Sequence, residues 1–314
     1  MHRQLSAPGC EALRQAQRIY DIPSLAAWRA AELQALRRCR FQAPVLEIGC
    51  GSGRFTALLL EHVDWGVDLN PREVALCSRR NGMYGRVAAM DARAMDFADG
   101  AFATVFANCV IEHIPDLPRL LAECRRVLRP GGALIATVPL EEMNRHLLLR
   151  SEWYARMRAA QLQHRHVLPE SEWVAALSRA GFSNVRTTAY LPSRLCELWD
   201  RVDAPLCLGA GPATVGRAYR MALHLLPGPL RRVVNRQWER YFAPALASNP
   251  AESPCAMVIE AHAGGWALQP AVWACSSRGR PDFPPAASRP CWCWRTTLLR
   301  RVSTSARSMP AAAW

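Results

Sequence analysis

The feature that most constrains the fold is one stretch: Val45-Leu46-Glu47-Ile48-Gly49-Cys50-Gly51-Ser52-Gly53-Arg54-Phe55-Thr56. Residues 45–48 are an apolar run that reads as a buried parallel strand. Three alternating glycines follow, and residues 55–60 read as the opening of a helix. Glycine at these places lets the backbone take positive φ and come close to a ligand. Strand, glycine turn and helix together form the unit that holds a nucleotide-like ligand at the carboxyl edge of an open α/β sheet.

Spacing narrows the ligand. A dinucleotide fingerprint, G-x-G-x-x-G/A, needs a small residue at its last position for close helix–strand packing. Gly49 and Gly51 fit it, but Arg54 stands in that last place. The pattern is instead E-x-G-x-G-x-G, with Glu47 two residues before Gly49.

The same strand–turn–helix logic continues downstream. Residues 64–67 read as a second strand ending at Asp68-Leu69, and Asn70-Pro71 is a helix start. Asp68 follows Gly53 by 15 residues and sits at the tip of strand two, where an acid can accept from both ribose hydroxyls. A third strand over 86–90 ends at Asp91-Ala92. A fourth over 102–107 ends at Asn108 and runs into Cys109-Val110-Ile111-Glu112-His113. An amphipathic helix over 117–128 is stopped by Arg129-Pro130-Gly131-Gly132, and 133–138 is a fifth strand.

The glycine motif, the acids after strands two and three, and the string NCVIEHIPDLPRLLAECRRVLRPGGALIATVP occur in a fixed order. Over about residues 44–139 the chain resembles the class I S-adenosylmethionine (SAM) methyltransferases of the type-11 family. The resemblance implies a Rossmann-like α/β fold. Its sheet has seven mostly parallel strands with an antiparallel last strand, flanked here by N-terminal helices and a helical insertion. It implies SAM as cofactor and methyl transfer as activity. SAM carries a sulfonium, an ammonium and a carboxylate. Glu47 can favour the cationic side, and loop N–H groups can bind the carboxylate. The cofactor contacts implied are Glu47, Gly49, Cys50, Gly51, Gly53, Asp68, Leu69, Asp91, Ala92 and Asn108, with Asp91-Ala92 beside the adenine amino group. Cys50 also reads as a small packing residue.

Methyl transfer needs a base only when the acceptor is a poor nucleophile at neutral pH. His113 is the named candidate, although an E-H pair after strand four is common in the family and has a structural reading. His164 and His166 lie on a stretch able to cover the acceptor. No metal-ligand spacing is visible, so a metal-independent enzyme is expected.

The chain divides into an N-terminal helical segment (1–43, with Ser24 a candidate cap), a core (44–190) and a helical insertion (191–254). A last core strand (255–263) and an atypical tail (264–314) follow. The insertion is read as helices near 192–202, 213–226 and 230–242 and as a candidate acceptor cap. Replacing it by a short turn is expected to abolish transfer and spare SAM binding. The tail is rich in Trp, Cys, Arg, Ser and Pro without a period. It reads as disordered or as translated out of frame, and no function is assigned to it.

Composition bounds the partners. The net charge is +13, and all 39 basic residues are arginine. Arginine-rich amphipathic helices in the insertion can pack on their own domain or touch a membrane surface. A small-molecule, sugar, quinone or lipid-linked acceptor is expected. Nucleic acid is not, because no N-P-P-[YF]-type motif follows strand four. The 12 cysteines include no C-x-x-C pair, as in a reducing compartment. With no leader-like segment and no apolar run of roughly 18 residues, a cytoplasmic location is expected. A non-catalytic SAM- or partner-binding module and an NAD-dependent oxidoreductase remain as alternatives, the latter opposed by Arg54. The oligomeric state is left open.

Overall fold

A computed structural model of the chain describes residues 8–80, 82–210 and 213–264. The reading of the tail therefore falls, from residue 265 on, outside the described residues.

The strands are β1 (Val45–Ile48), β2 (Val63–Asp68), β3 (Tyr84–Ala89), β4 (Phe102–Asn108), β5 (Leu128–Pro139), β6 (Phe182–Pro192) and β7 (Pro254–Ala263). They form one sheet in the order β3-β2-β1-β4-β5-β7-β6. Strands β1 to β5 pair in parallel, and β7 runs antiparallel between β5 and β6. This is the mostly parallel seven-stranded α/β sheet expected from the sequence. The order reverses at β1, so the carboxyl ends of β1 and β4 flank the crevice where such sheets take ligands.

Alternation along the strands builds two cores. Leu46 and Ile48 of β1 and Val105 and Ala107 of β4 face one side, with α4 (Leu117–Val127) and α6 (Glu170–Arg179). Val45 and Phe106 face the other, with α1 (Pro8–Gln17) and α2 (Pro23–Leu36). In α4, Leu117, Leu120, Leu121, Cys124 and Val127 recur at helical spacing and are the buried residues. Asp116 caps it by accepting from the Arg119 N–H at 3.3 Å. Asn70 caps α3 (Pro71–Cys77) in the same way, from Arg72 at 3.0 Å.

Three local expectations are corrected. The helix expected from residue 55 is only a 3₁₀ turn, Thr56–Leu58. The Thr56 hydroxyl turns inward to Glu47, and the Leu58 carbonyl, at the end of the turn, accepts from Arg37 just beyond α2 at 3.3 Å. Ser24 is not a cap. Pro23 holds the first helical position, and the Ser24 hydroxyl donates instead to Asp203 Oδ1 at 2.8 Å. Strand three starts at Tyr84, two residues earlier than read, because Tyr84 already pairs with Val63 at the start of β2.

The insertion holds α7 (Ser193–Leu206), a small hairpin pairing Gly209–Ala210 with Ala213–Thr214, α8 (Val215–Leu225) and α9 (Gly228–Leu246). Its first helix belongs to the core. Trp199 meets Trp28 of α2 edge-on at 5.0 Å. Arg158 of α5 (Glu152–Gln161) lies buried between Asp200 at 2.7 Å and Asp203 at 2.6 Å. Breaking such a buried pair costs about 3–5 kcal/mol. Replacing all of 191–254 by a turn would therefore remove core as well as cap, contrary to the expectation that cofactor binding would be spared. Among the described residues no helix is long and apolar enough to cross a membrane.

Candidate active site

The glycine loop leaves β1 in the left-handed region, with φ of +66°, +49° and +67° at Gly49, Gly51 and Gly53. Gly49 has no room for a side chain, since a Cβ there would stand 2.5 Å from Val110 Cγ2. Gly51 is different. A Cβ there would meet only Glu73 Oε2, at 4.0 Å, so the loop presents an open backbone surface at this point. Several loop N–H groups are bonded within the protein: Cys50 to the Val67 carbonyl at 3.0 Å, Gly53 to Cys50 at 2.9 Å, and Gly51 to Asp68 Oδ2 at 2.9 Å.

Glu47 lies buried under this loop. Its carboxylate accepts from the hydroxyls of Thr56, at 2.6 Å, and Tyr84. Burial pushes its pKa up to about 7, against the two hydrogen bonds that lower it. In this arrangement Glu47 braces the loop on both sides.

The tip of β2 carries Asp68 and Leu69. Asp68 Oδ1 accepts from the Asn70 N–H at 2.8 Å while Oδ2 holds Gly51. A carboxylate offers about four lone-pair sites, so two acceptor positions remain for hydroxyl donors. Leu69 is 74% exposed, an apolar side chain left in water beside an otherwise polar loop. At the end of β3, Ala92 is buried and Asp91 is held by Arg93, Nη2 at 2.6 Å and Nε at 3.0 Å. Those hydrogen bonds bring the Asp91 carboxyl down to about 2.

Beyond β4 the structure reveals a polar cluster that the sequence did not disclose. Glu32 of α2 is fully buried. It pairs with Arg29 at 2.6 Å, and accepts from the Cys109 thiol at 2.9 Å and the Tyr190 hydroxyl at 3.2 Å. Asn108 closes the set, its amide oxygen facing Arg29 Nη1 at 2.7 Å and its nitrogen facing Glu32 at 3.2 Å. Arg29 also lies over the Phe55 ring, 5.4 Å from its centre. The cluster thus fastens α2 to the end of β4 and to β6. Only the i, i+3 spacing of Arg29 and Glu32 within a helix was visible in advance, and that spacing reads equally as a solvated pair.

His113 follows β4 on the turn Ile111–His113. Its Nδ1 lies 3.1 Å from the Gln163 carbonyl, which can only accept, so Nδ1 carries the proton and Nε2 the lone pair. Burial holds His113 below the usual histidine range and brings His164 down to about 3. The two rings lie 5.1 Å apart. Glu112, with Oε1 3.8 Å from His113 Nε2, is buried, its Oε2 lacks a hydrogen-bond partner, and burial raises its pKa to about 8. Glu112, His113 and His164 offer ligand atoms within 4.8 Å of one another, a grouping of metal-ligand type that sequence spacing did not show. His166 is turned away from it, Nε2 toward the Ile114 carbonyl at 3.0 Å.

Comparison with known proteins agrees with this geometry. Residues 46–136 match the family described as "Methyltransferase domain". A trans-aconitate 2-methyltransferase of Deinococcus radiodurans is 33% identical over 114 residues, covering 35% of this chain and 43% of that one. A phthiotriol/phenolphthiotriol dimycocerosates methyltransferase of Mycobacterium leprae is 38% identical over 96 residues, covering 29% and 35%. The chain thus spans less than half the length of these curated relatives. A phosphoethanolamine N-methyltransferase 2 of Haemonchus contortus, solved with S-adenosyl-L-methionine, superposes with a TM-score of 0.52 at 19% identity, over 84% of this chain and 58% of that one. Residues 46–136 thus match a methyltransferase domain, and the sheet around them has the fold of a SAM-dependent methyltransferase.

Proposed function

We propose that the protein transfers a methyl group from SAM to a small amphiphilic or lipid-linked acceptor. The observation that carries the cofactor half is the tie between Gly51 and Asp68. It sets the one open point of the glycine loop beside a carboxylate with spare acceptor sites. The residues fit the cofactor. Asp68 takes the ribose hydroxyls, Leu69 supplies apolar surface, and Asp91 and Ala92 flank the adenine. Gly49, Cys50, Gly51 and Gly53 shape the loop over which the rest lies, and Asn108 borders it from β4. Glu47 serves through the loop it braces. When bound, SAM supplies an electrophilic methyl group on its sulfonium.

What the chain does for the reaction is align and exclude water. The buried Arg29–Glu32–Asn108 cluster fixes α2 over the carboxyl edge, so an acceptor is held out of bulk water. His113, with its lone pair on Nε2, is the group at this edge able to take a proton from an acceptor that needs one. An acceptor screen with isotopically labelled SAM tests the reading. Labelled amphiphilic product is expected, and binding without turnover on any acceptor would favour a SAM-binding module instead. The acceptor half rests on the apolar and basic surface of the insertion, and on relatives named for lipid-like acceptors.

A further inference from the structure

The hairpin of α8 and α9 ends in Leu225-Leu226-Pro227-Gly228-Pro229-Leu230. Each helix packs by one side. Leu223 of α8 and Phe242 and Ala245 of α9 are buried, Trp238 donates to the Tyr219 hydroxyl at 3.0 Å, and Gln17 of α1 donates to the Asn235 carbonyl at 3.1 Å. The other side is apolar and exposed. Met221 and Leu225, four residues apart on α8, are 61% and 84% exposed, and Leu230 and Val233, three apart on α9, are 52% and 50% exposed. Four large apolar side chains at one hairpin end exceed the scattered exposure normal for a surface.

Charge says what covers them. From residue 204 to 238 there is no aspartate or glutamate, but there are arginines at 217, 220, 231, 232 and 236, all exposed. Arg231 and Arg232 sit between Leu230 and Val233. Leucines that leave water beside arginines that meet phosphate is the chemistry of an anionic lipid surface. A second copy would bring the same positive charge to an isologous contact. Nucleic acid would satisfy the arginines and leave the leucines in water.

We propose that the α8–α9 hairpin end docks the protein on anionic lipid bilayers, with Met221, Leu225, Leu230 and Val233 entering the interface and Arg231 and Arg232 engaging phosphates. This rests on, and deepens, the reading of a lipid-linked acceptor. The hairpin packs on α1 and α7, the layer that includes α2, and α2 reaches the end of β4 and Phe55 after the glycine loop through Glu32 and Arg29. A docked chain would take its acceptor from the bilayer.

The test is co-sedimentation of the full chain with phosphatidylcholine vesicles, with and without phosphatidylglycerol. Binding to the anionic vesicles is expected to be at least about tenfold stronger and to weaken with salt. Leu225→Glu with Leu230→Glu should lose about tenfold or more, and Arg231→Gln with Arg232→Gln should lose the preference for anionic lipid. Unchanged melting and unchanged S-adenosylhomocysteine binding by calorimetry show that the variants are folded. Wild-type chain that ignores anionic vesicles, or variants that bind like wild type, would overturn the proposal. So would a dimer that the leucine variants dissociate, or binding to single-stranded nucleic acid in place of vesicles. If vesicles bind and S-adenosylhomocysteine does not, the docking surface stands and the cofactor reading falls.

Discussion

The Gly51 N–H donates to Asp68 Oδ2 at 2.9 Å, joining the glycine loop after β1 to the tip of β2. The same carboxylate holds the Asn70 N–H at 2.8 Å, so one side chain sets the loop and the start of α3 together. Asp68→Ala is expected to weaken S-adenosylhomocysteine binding by about 1.5–3 kcal/mol, the range for hydrogen bonds to a charged group. Asp68→Asn, which keeps an acceptor, should lose less. Calorimetry on the folded variants decides it, and wild-type affinity in both would remove Asp68 from the site.

The glycines should separate fold from binding. Gly49→Ala drives a Cβ into Val110 and adds left-handed strain, so loss of soluble protein is expected. Gly51→Ala meets open space, so its stability cost should be only about 1–2 kcal/mol, from the left-handed backbone alone. Its methyl would occupy the surface meant for the cofactor, and binding should drop sharply. A Gly51→Ala protein that binds normally would place the cofactor elsewhere.

Burial of Glu47 makes stability depend on pH. Its pKa in the folded chain is about 7, against an ordinary 4.5, so between these values the folded state holds the proton that the unfolded state releases. Stability from this group is therefore fully present at low pH and is lost as pH rises from about 4.5 to about 7, by about 3 kcal/mol at most. Glu47→Gln does not titrate. Urea unfolding across this window should give a flatter curve for the variant than for wild type, and parallel curves would show that the carboxyl ionises normally.

Much of this was legible beforehand because it is local. Val45 to Gly53 read as strand and glycine loop, and Asn70-Pro71 as a capped start, because neighbours in sequence decide those conformations. The seven-stranded order followed from the family pattern those motifs carry. What could not be read depends on partners far along the chain. The Thr56 hydroxyl turns inward to Glu47, Ser24 caps nothing because its hydroxyl goes to Asp203, 179 residues away, and Glu32 is buried through Cys109 and Tyr190. The meeting of His113 with His164 is of the same kind, made by the segment whose Arg165 and His166 N–H groups donate to the Glu112 carbonyl at 2.8 and 3.1 Å.

Glu32 is the sharpest test of that hidden layer. Glu32→Ala strands Arg29 against the sheet without its carboxylate and should cost about 3–5 kcal/mol, seen as a large drop in melting temperature. Glu32→Gln, which keeps the hydrogen bonds of similar shape, should cost less. A melting temperature unchanged in Glu32→Ala would mean that α2 is held by packing alone.

The central claim is that the loop from Gly49 to Gly53 and the carboxylate of Asp68 bind SAM rather than a dinucleotide. Titration calorimetry of the full chain with S-adenosylhomocysteine, SAM and NAD tests it most directly. The account predicts one-to-one binding of the first two, and none of NAD. Binding of NAD with no heat from either sulfur ligand would contradict it.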